Sequence, residues 1–449
     1  MIDFQTPLQP ELITQSKNKR MTNVKNKTGR NDWTMTDGLS REDQVLLHCA
    51  RINGSPERHE ALKVLLSREP DWELLLEKAT FHRLSCLLSH HLRSAELTAF
   101  VPQPVLKKLQ SIYYTSLTRN VLLQDELSRL LAALNREGIP VIVLKGAALL
   151  GIVYQDISLR PMSDLDILVP VEHLDRVEAV VSQHGYEHIY SRHSQEVARE
   201  KMHQLPCMMN REKHIFLEIH QHIVDSDSPY HFDLHHFWNR AQRITILETD
   251  SLTFAPEDLL IHLGIHFIFD RHYSSVSAIG QLCDISEVIL HFGDSLDWDM
   301  VEALAEEFGV GAALHIVFYA CEHLLGTEVP ESVLSRLQPS WFSSVIAALF
   351  IQKRVLSTRD WVPLYFVDPR DQYSQHAAIL AIFNKIFHIP ARIFQEREHR
   401  KHRISYYLRL VRNLSPAKAQ NLKQDMLLDR WLHDICNSTN RTAPHHSNH

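Results

Sequence analysis

"VIVLKGAALL", residues 141–150, and "RPMSDLDILV", residues 160–169, decide how this chain is read. The first stretch begins as an apolar, β-rich run suited to a buried strand, breaks at Lys145-Gly146, and resumes as a segment compatible with two helical turns. The second is another apolar run, and it carries Asp164 and Asp166 one residue apart. In a strand, residues i and i+2 point to the same face, with Cα atoms about 6–7 Å apart. Asp164 and Asp166 therefore share one surface, while Leu165, Ile167 and Val169 face a core. Two like charges at that separation are unfavourable unless a cation lies between them. Mg²⁺ is a hard cation that takes oxygen ligands and keeps positions for water and substrate phosphate. The pair predicts a divalent metal site.

Gly146 extends that expectation. A turn between a strand and a helix lets backbone N–H groups and the helix N-terminus meet an anionic phosphate. Lys145 beside it adds positive charge, and Ala147 completes the turn. A third acid is expected where two metals serve one displacement, and Glu218 in "FLEIH" supplies one, on a predicted strand where Phe216 and His220 share its side. An Asp-x-Asp alone is explained most often by a solvated strand edge. The order of strand, glycine turn, short helix, acidic strand and later carboxylate strand carries the inference.

Other residues offer weaker readings. Arg160 precedes the acidic strand, and its planar fork suits phosphate or carboxylate, so it either clamps a triphosphate or pairs with Asp164. His262 and His266 lie four apart on a predicted helix, a spacing that can present both to a metal. The residues between them lack the Glu of a zinc-protease motif. They read first as core or interdomain histidines, with a place at the cleft as the alternative. Tyr154 reads as packing and Asp156 as a turn residue.

The composition sets outer bounds. At 449 residues, 44% hydrophobic and 22% charged, the chain is long enough for two or three domains. Its net charge of −7 argues against a generally basic nucleic-acid binder. The six cysteines have no CxxC or zinc-ribbon spacing and read as reduced and structural. No secretory signal pattern and no clean run of about 20 apolar residues is present, so a cytoplasmic location is expected. The 30 histidines make the charge near pH 6 sensitive to their surroundings.

Along the chain, residues 1–38 read as a polar, disordered tail. Residues 39–137 read as an N-terminal helical region that ends in a long helix closed by Gly138. Residues 138–250 form an α/β core, in which "HQLPCMMN" and "HIFLEIHQHIV" look like an antiparallel pair joined at "REK". Residues 251–414 read as a C-terminal helical region, and 415–449 as a last helix with a frayed tail. The basic, aromatic stretch "REHRKHRISYYLRLVR", residues 397–412, reads as a solvated helix face, with a membrane surface or an acidic partner as the alternative.

With these motifs in place, the chain resembles the uncharacterised nucleotidyltransferases of the DNA polymerase β-like nucleotidyltransferase superfamily. The resemblance rests on "GIPVIVLKGAAL", "YQDISLRPMSDLDILV", "LEIH" and "APEDLLIHLGIH", with "LDWDMVEALAEEFG" also similar, and covers roughly residues 42–330. It implies an α+β fold, a small mixed β-sheet core flanked by N-terminal and C-terminal helical regions. It assigns Gly146 to the nucleotide-binding turn, Asp164 and Asp166 to the metal-binding acids, and Glu218 to the third acid. The substrates implied are an NTP with Mg²⁺ or Mn²⁺ and an unknown acceptor hydroxyl on a sugar, small molecule, peptide, protein or RNA. His262, His266 and His220 would line the pocket. The chain departs from many active relatives in having Gly146-Ala147 where they have Gly-Ser or Gly-Gly, so a phosphate-binding hydroxyl is missing and Lys145 would compensate. Two rival readings are an inactive nucleotide-binding sensor or scaffold, and a metal-dependent glycosyltransferase.

Overall fold

Short sequences with ordinary helix signals build the N-terminal part. Ser40, Ser55 and Asp71 each accept a backbone N–H at the start of the helices Arg41–Cys49, Pro56–Leu66 and Trp72–Phe81, as capping residues do. The helix Gln103–Arg136 follows and ends before Gly138, whose φ of +66° suits a residue without Cβ. The computed structural model describes residues 39–357, apart from 190–197, 201, 227, 229, 274–276, 340–346 and 348–349. The expected tail at 1–38, the basic stretch at 397–412 and the segment 415–449 lie outside the described residues.

A seven-stranded mixed sheet forms the centre, with β1 at Ile142–Val143, β2 at Asp164–Leu168, β3 at Tyr186–His188, β4 at Met208–Asn210, β5 at Ile215–His220, β6 at Gln242–Ile246 and β7 at Thr249–Thr253. Their order is β3-β4-β5-β2-β1-β7-β6. The fold class expected from the sequence, a mixed sheet with helices on both flanks, is the one observed. The antiparallel pairing anticipated around "REK" is β4 with β5, Met208 opposite Leu217 and Asn210 opposite Ile215. β2 and β5 run parallel, and their register sets Asp166 opposite Glu218.

The β6–β7 hairpin is a finding that the sequence reading did not contain. Its two-residue turn is Leu247-Glu248, with Leu247 in the left-handed region at φ +53°, and it lacks the Asn-Gly or Gly chemistry that marks such turns. β7 pairs in parallel with β1, Ile142 opposite Leu252, so the sheet continues to Thr253.

The helices Pro256–Tyr273, Ala278–Phe292, Trp298–Glu307, Gly311–Leu325 and Glu331–Leu337 follow. Their apolar residues, including Leu260, Ile261, Phe267, Ile279, Leu282 and Phe318, are fully buried in a core continuous with that of the sheet. The N-terminal helices meet this part directly. The Ser277 N–H donates to the Phe81 carbonyl at 3.0 Å, the Ile52 N–H donates to Glu287 at 3.0 Å, and Arg58 donates to the Leu325 carbonyl. At Gly280 a Cβ would lie 2.5 Å from the His82 carbonyl oxygen, so only glycine allows this approach. The five described cysteines are free thiols. No described helix is long and apolar enough to cross a membrane.

Candidate active site

The alternation of β2 places Leu165 and Ile167 in the core, at 0% and 1% exposure, and turns Asp164 and Asp166 to the other face. That face forms one wall of a cleft of about 610 Å³. The other walls come from the turn at Lys145-Gly146, the loop Leu159–Met162, and the helices Pro256–Tyr273 and Ala278–Phe292. Asp166 is buried, and its Oδ1 accepts from Lys145 Nζ at 2.7 Å and lies 3.0 Å from His220 Nε2. Glu218 Oε2 is 3.8 Å from Lys145 Nζ and 3.8 Å from His220 Nε2. One ligand atom from each of Asp166, Glu218 and His220 lies within 4.8 Å of the others. Asp164 lines the same cleft but stands outside this close group, half-buried, with Ser163 Oγ donating to its Oδ1 at 3.0 Å.

The electrostatics divide the two inner carboxylates. Burial acts to raise the pKa of Asp166, but the Lys145 ammonium and the His220 hydrogen bond together hold it well below the usual carboxylate range. Glu218 is raised to about 7, first by burial and then by the charges of Asp166 and Asp164. Burial and the Lys145 charge push His220 down to about 3. Within the cluster the environment favours a neutral His220 and an ionised Asp166, and it disfavours the ionised form of Glu218. These three residues could hold a cation, which would supply the positive charge that Glu218 lacks. The oxygen-rich set fits Mg²⁺ or Mn²⁺, and the His220 ring orients Asp166 through its hydrogen bond.

Lys145 is held by its backbone as well as its charge. It has φ +43°, unusual for a residue with a side chain, where β1 turns into the helix Lys145–Ile152. Leu144 makes no side-chain cap bond to that helix N-terminus, and a helix N-terminus favours an anion. Gly146 is needed for a steric reason, since a Cβ there would lie 2.4 Å from Arg160 Nη1 and 2.9 Å from Met162 Sδ. Ala147 is buried behind the turn.

Arg160 does not form an ion pair with Asp164. Its Nε and Nη2 grip Asp284 on the helix Ala278–Phe292, with Nε 2.9 Å from Oδ1 and Nη2 2.8 Å from Oδ2. Nη1 is left facing Gly146. The Tyr154 hydroxyl donates to the same carboxylate at 2.7 Å; it packs as expected, with a polar link in addition. Asp156 is the turn residue predicted, accepting from the Ser158 N–H at 3.0 Å. His262 and His266 both line the cleft. His262 is buried with burial and His266 holding its pKa well below the ordinary value, and His266 Nδ1 lies 3.3 Å from Gln281 Nε2.

A family model described as uncharacterised nucleotidyltransferase matches residues 68–326, more than half of the chain. The chain belongs to this family of uncharacterised nucleotidyltransferases. The match starts within the N-terminal helices and takes in the sheet and most of the C-terminal helices, so all walls of the cleft fall inside it. No curated protein matches the chain. The family membership makes the acidic face of β2 and β5 the place to look for nucleotidyltransferase chemistry.

Several cleft residues were not singled out in the sequence. Asp284 carried a readable signal, an acid in the otherwise apolar turn "LCDIS" of a buried helix, since a buried carboxylate needs a partner. Arg83, exposed on the cleft rim at φ +57° and without an ion pair among the described residues, carried none. His203 and Asp225 also line the cleft, and nothing in "MHQLP" or "IVDSD" marks them.

Proposed function

We propose that the chain transfers a nucleoside monophosphate from an NTP to an acceptor hydroxyl, releasing pyrophosphate. The observation that carries this reading is the side-by-side placement of Asp166 and Glu218 on parallel strands, beside Lys145 and below a helix N-terminus. Asp164, Asp166 and Glu218 would hold Mg²⁺ or Mn²⁺. Bound there, divalent cations neutralise phosphate charge and support both the attacking and the leaving oxygen of an in-line displacement.

The chain's own groups would share the remaining work. The N-terminus of the helix Lys145–Ile152 at Gly146 and Ala147 and the Arg160 Nη1 face would receive phosphate oxygens, in place of the serine hydroxyl absent from the turn. Lys145 would neutralise Asp166 until the cation is in place. His220 keeps Asp166 in one orientation, and Glu218 completes the ligand set or accepts a proton from the acceptor. His262 and His266 would contact the substrate from the helical wall. A cleft of this size accommodates a nucleotide.

The deciding experiment follows pyrophosphate release and label transfer from each α-labelled NTP with Mg²⁺ or Mn²⁺, using a metabolite and lysate mixture as acceptor and Asp164→Asn as control. Transfer is expected in the native protein and absent in the control. Metal-dependent NTP binding without transfer to any acceptor would favour a nucleotide sensor.

A further inference from the structure

Beside the acidic cluster stands a histidine-carboxylate pair that the reading above does not use. His203 Nδ1 lies 2.6 Å from Asp225 Oδ1, and the His203 backbone N–H donates to that same oxygen at 2.7 Å. The backbone around His203 is fixed to the end of β5. The Leu205 N–H donates to the Ile219 carbonyl at 2.8 Å, and the His203 carbonyl accepts from the N–H groups of Gln221 and His222 at 2.8 and 2.9 Å. This register sets the His203 ring 5.4 Å, centroid to centroid, from that of His220. Unlike His220 at 2% exposure, the His203 side chain is 33% exposed, and both members of the pair line the cleft.

A ring nitrogen that donates to a carboxylate fixes the tautomer and turns the other nitrogen into an acceptor. Asp225 does this for His203, leaving Nε2 as the accepting atom of a ring that lines the cleft. Glu218 is packed among Asp166, Lys145 and His220, where its oxygens serve a cation better than an acceptor. We propose that His203 Nε2 is the general base that takes the proton of the acceptor hydroxyl, with Asp225 as its positioning residue. The inference rests on the nucleotidyl-transfer reading. In the step, the acceptor O–H bond breaks and its proton passes to Nε2. The new bond forms from the acceptor oxygen to the α-phosphorus, and the bond to the leaving oxygen breaks with its electron pair departing on pyrophosphate. A carboxylate acceptor is already ionised and would need no base, so a general base here points to an alcohol as the acceptor class, and the product is then a phosphodiester.

The test uses the full chain with Mg²⁺, α-labelled NTPs and two acceptor probes, a fractionated metabolite extract of hydroxyl compounds and the same extract after chemical acetylation of its hydroxyls. His203→Ala should lower turnover by about 10²–10⁴-fold with the KM for NTP changed less than about threefold, and added imidazole should restore part of it. His203→Gln, which keeps a hydrogen-bond donor for Asp225, should be as slow while melting like the native protein. Asp225→Asn should lower kcat without changing the KM for NTP, and acetylated extract should accept no label. Turnover in His203→Gln within about threefold of the native protein would overturn the assignment. So would label transfer that survives acetylation. If the native protein transfers to neither probe and Asp166→Asn is indistinguishable from it, the nucleotidyl-transfer reading fails, and this inference with it.

Discussion

Two charged clusters line the same cleft and are built on opposite terms. On the sheet, Asp166 and Glu218 share one lysine, with Asp164 nearby, and Glu218 is pushed up to about 7. Across the cleft, Arg160 meets Asp284 through Nε and Nη2, and Tyr154 closes the same carboxylate. In the second cluster one guanidinium meets one carboxylate whose two oxygens are both bonded, as a buried pair must be to hold two elements together, and only Arg160 Nη1 is turned elsewhere, toward Gly146. The first has more negative charge than its surroundings neutralise. Crowded acids with pKa values pushed apart mark a place where a cation or a proton is expected to arrive. A satisfied ion pair at the same depth marks architecture.

The largest expected effect separates the two clusters by activity. Asp166→Asn should reduce nucleotidyl transfer by about 10³-fold or more, because several kcal/mol of transition-state charge stabilisation disappear with the ligand. Its far-ultraviolet circular dichroism should stay native. A variant with native turnover would erase the distinction between the clusters. Asp284→Ala should do the reverse. Removing one partner of a buried pair leaves Arg160 uncompensated, costing about 3–5 kcal/mol in chemical denaturation, and any remaining folded protein should keep measurable turnover.

A pH scan sharpens the comparison further. Arg160 stays charged at every accessible pH, since Asp284 raises its pKa against the opposing effect of burial, so its pair adds no pH dependence near neutrality. His315 does. Burial pushes its pKa down to about 4 from 6.5, and its Nδ1 lies 3.0 Å from the Leu334 carbonyl. The unfolded chain therefore binds a proton that the folded chain refuses between these values, and stability present above pH 6.5 falls as pH drops toward 4. The melting temperature should decline over that window, and His315→Asn should remove about 3 kcal/mol of that pH-dependent loss. An equal slope in the variant would place the effect elsewhere. The smallest change probes the contact between the clusters. Gly146→Ala should cost about 1–3 kcal/mol, because Arg160 cannot swing away from the added methyl without loosening Asp284. If the variant melts like the native protein, the Arg160 side chain is not fixed by its partner.

Much of the α/β core was legible because its signals are local. The alternation in "DLDILV" fixed which face of β2 carries Asp164 and Asp166, and Gly138 marked the end of the long helix. The strand at "FLEIH" was readable, but its place beside β2 was not, since pairing between segments over 50 residues apart leaves no local trace. The same gap explains Arg160, whose partner Asp284 is 124 positions away. The β6–β7 hairpin escaped because Leu247-Glu248 adopts a turn without turn residues. His203 and Asp225 escaped because their register comes from backbone bonds to the end of β5. Residues whose meaning lies in their own strand or turn could be read, and residues whose meaning lies in a distant partner could not.

The parallel pairing of β1 with β7 also bears on how the protein is made. β1 has only two residues, and its partner Leu252 is synthesised 110 positions after Ile142, while Ile52 waits for Glu287, 235 positions downstream. Contacts of such separation form late and slow the search for the native state. A nascent chain that has left the ribosome only as far as β5 already holds Asp164, Asp166 and Glu218, yet neither β7 nor the helical wall exists to enclose them. The cleft is therefore completed only after the helix Ala278–Phe292 has emerged, and until then its acids remain a half-built surface with no far wall.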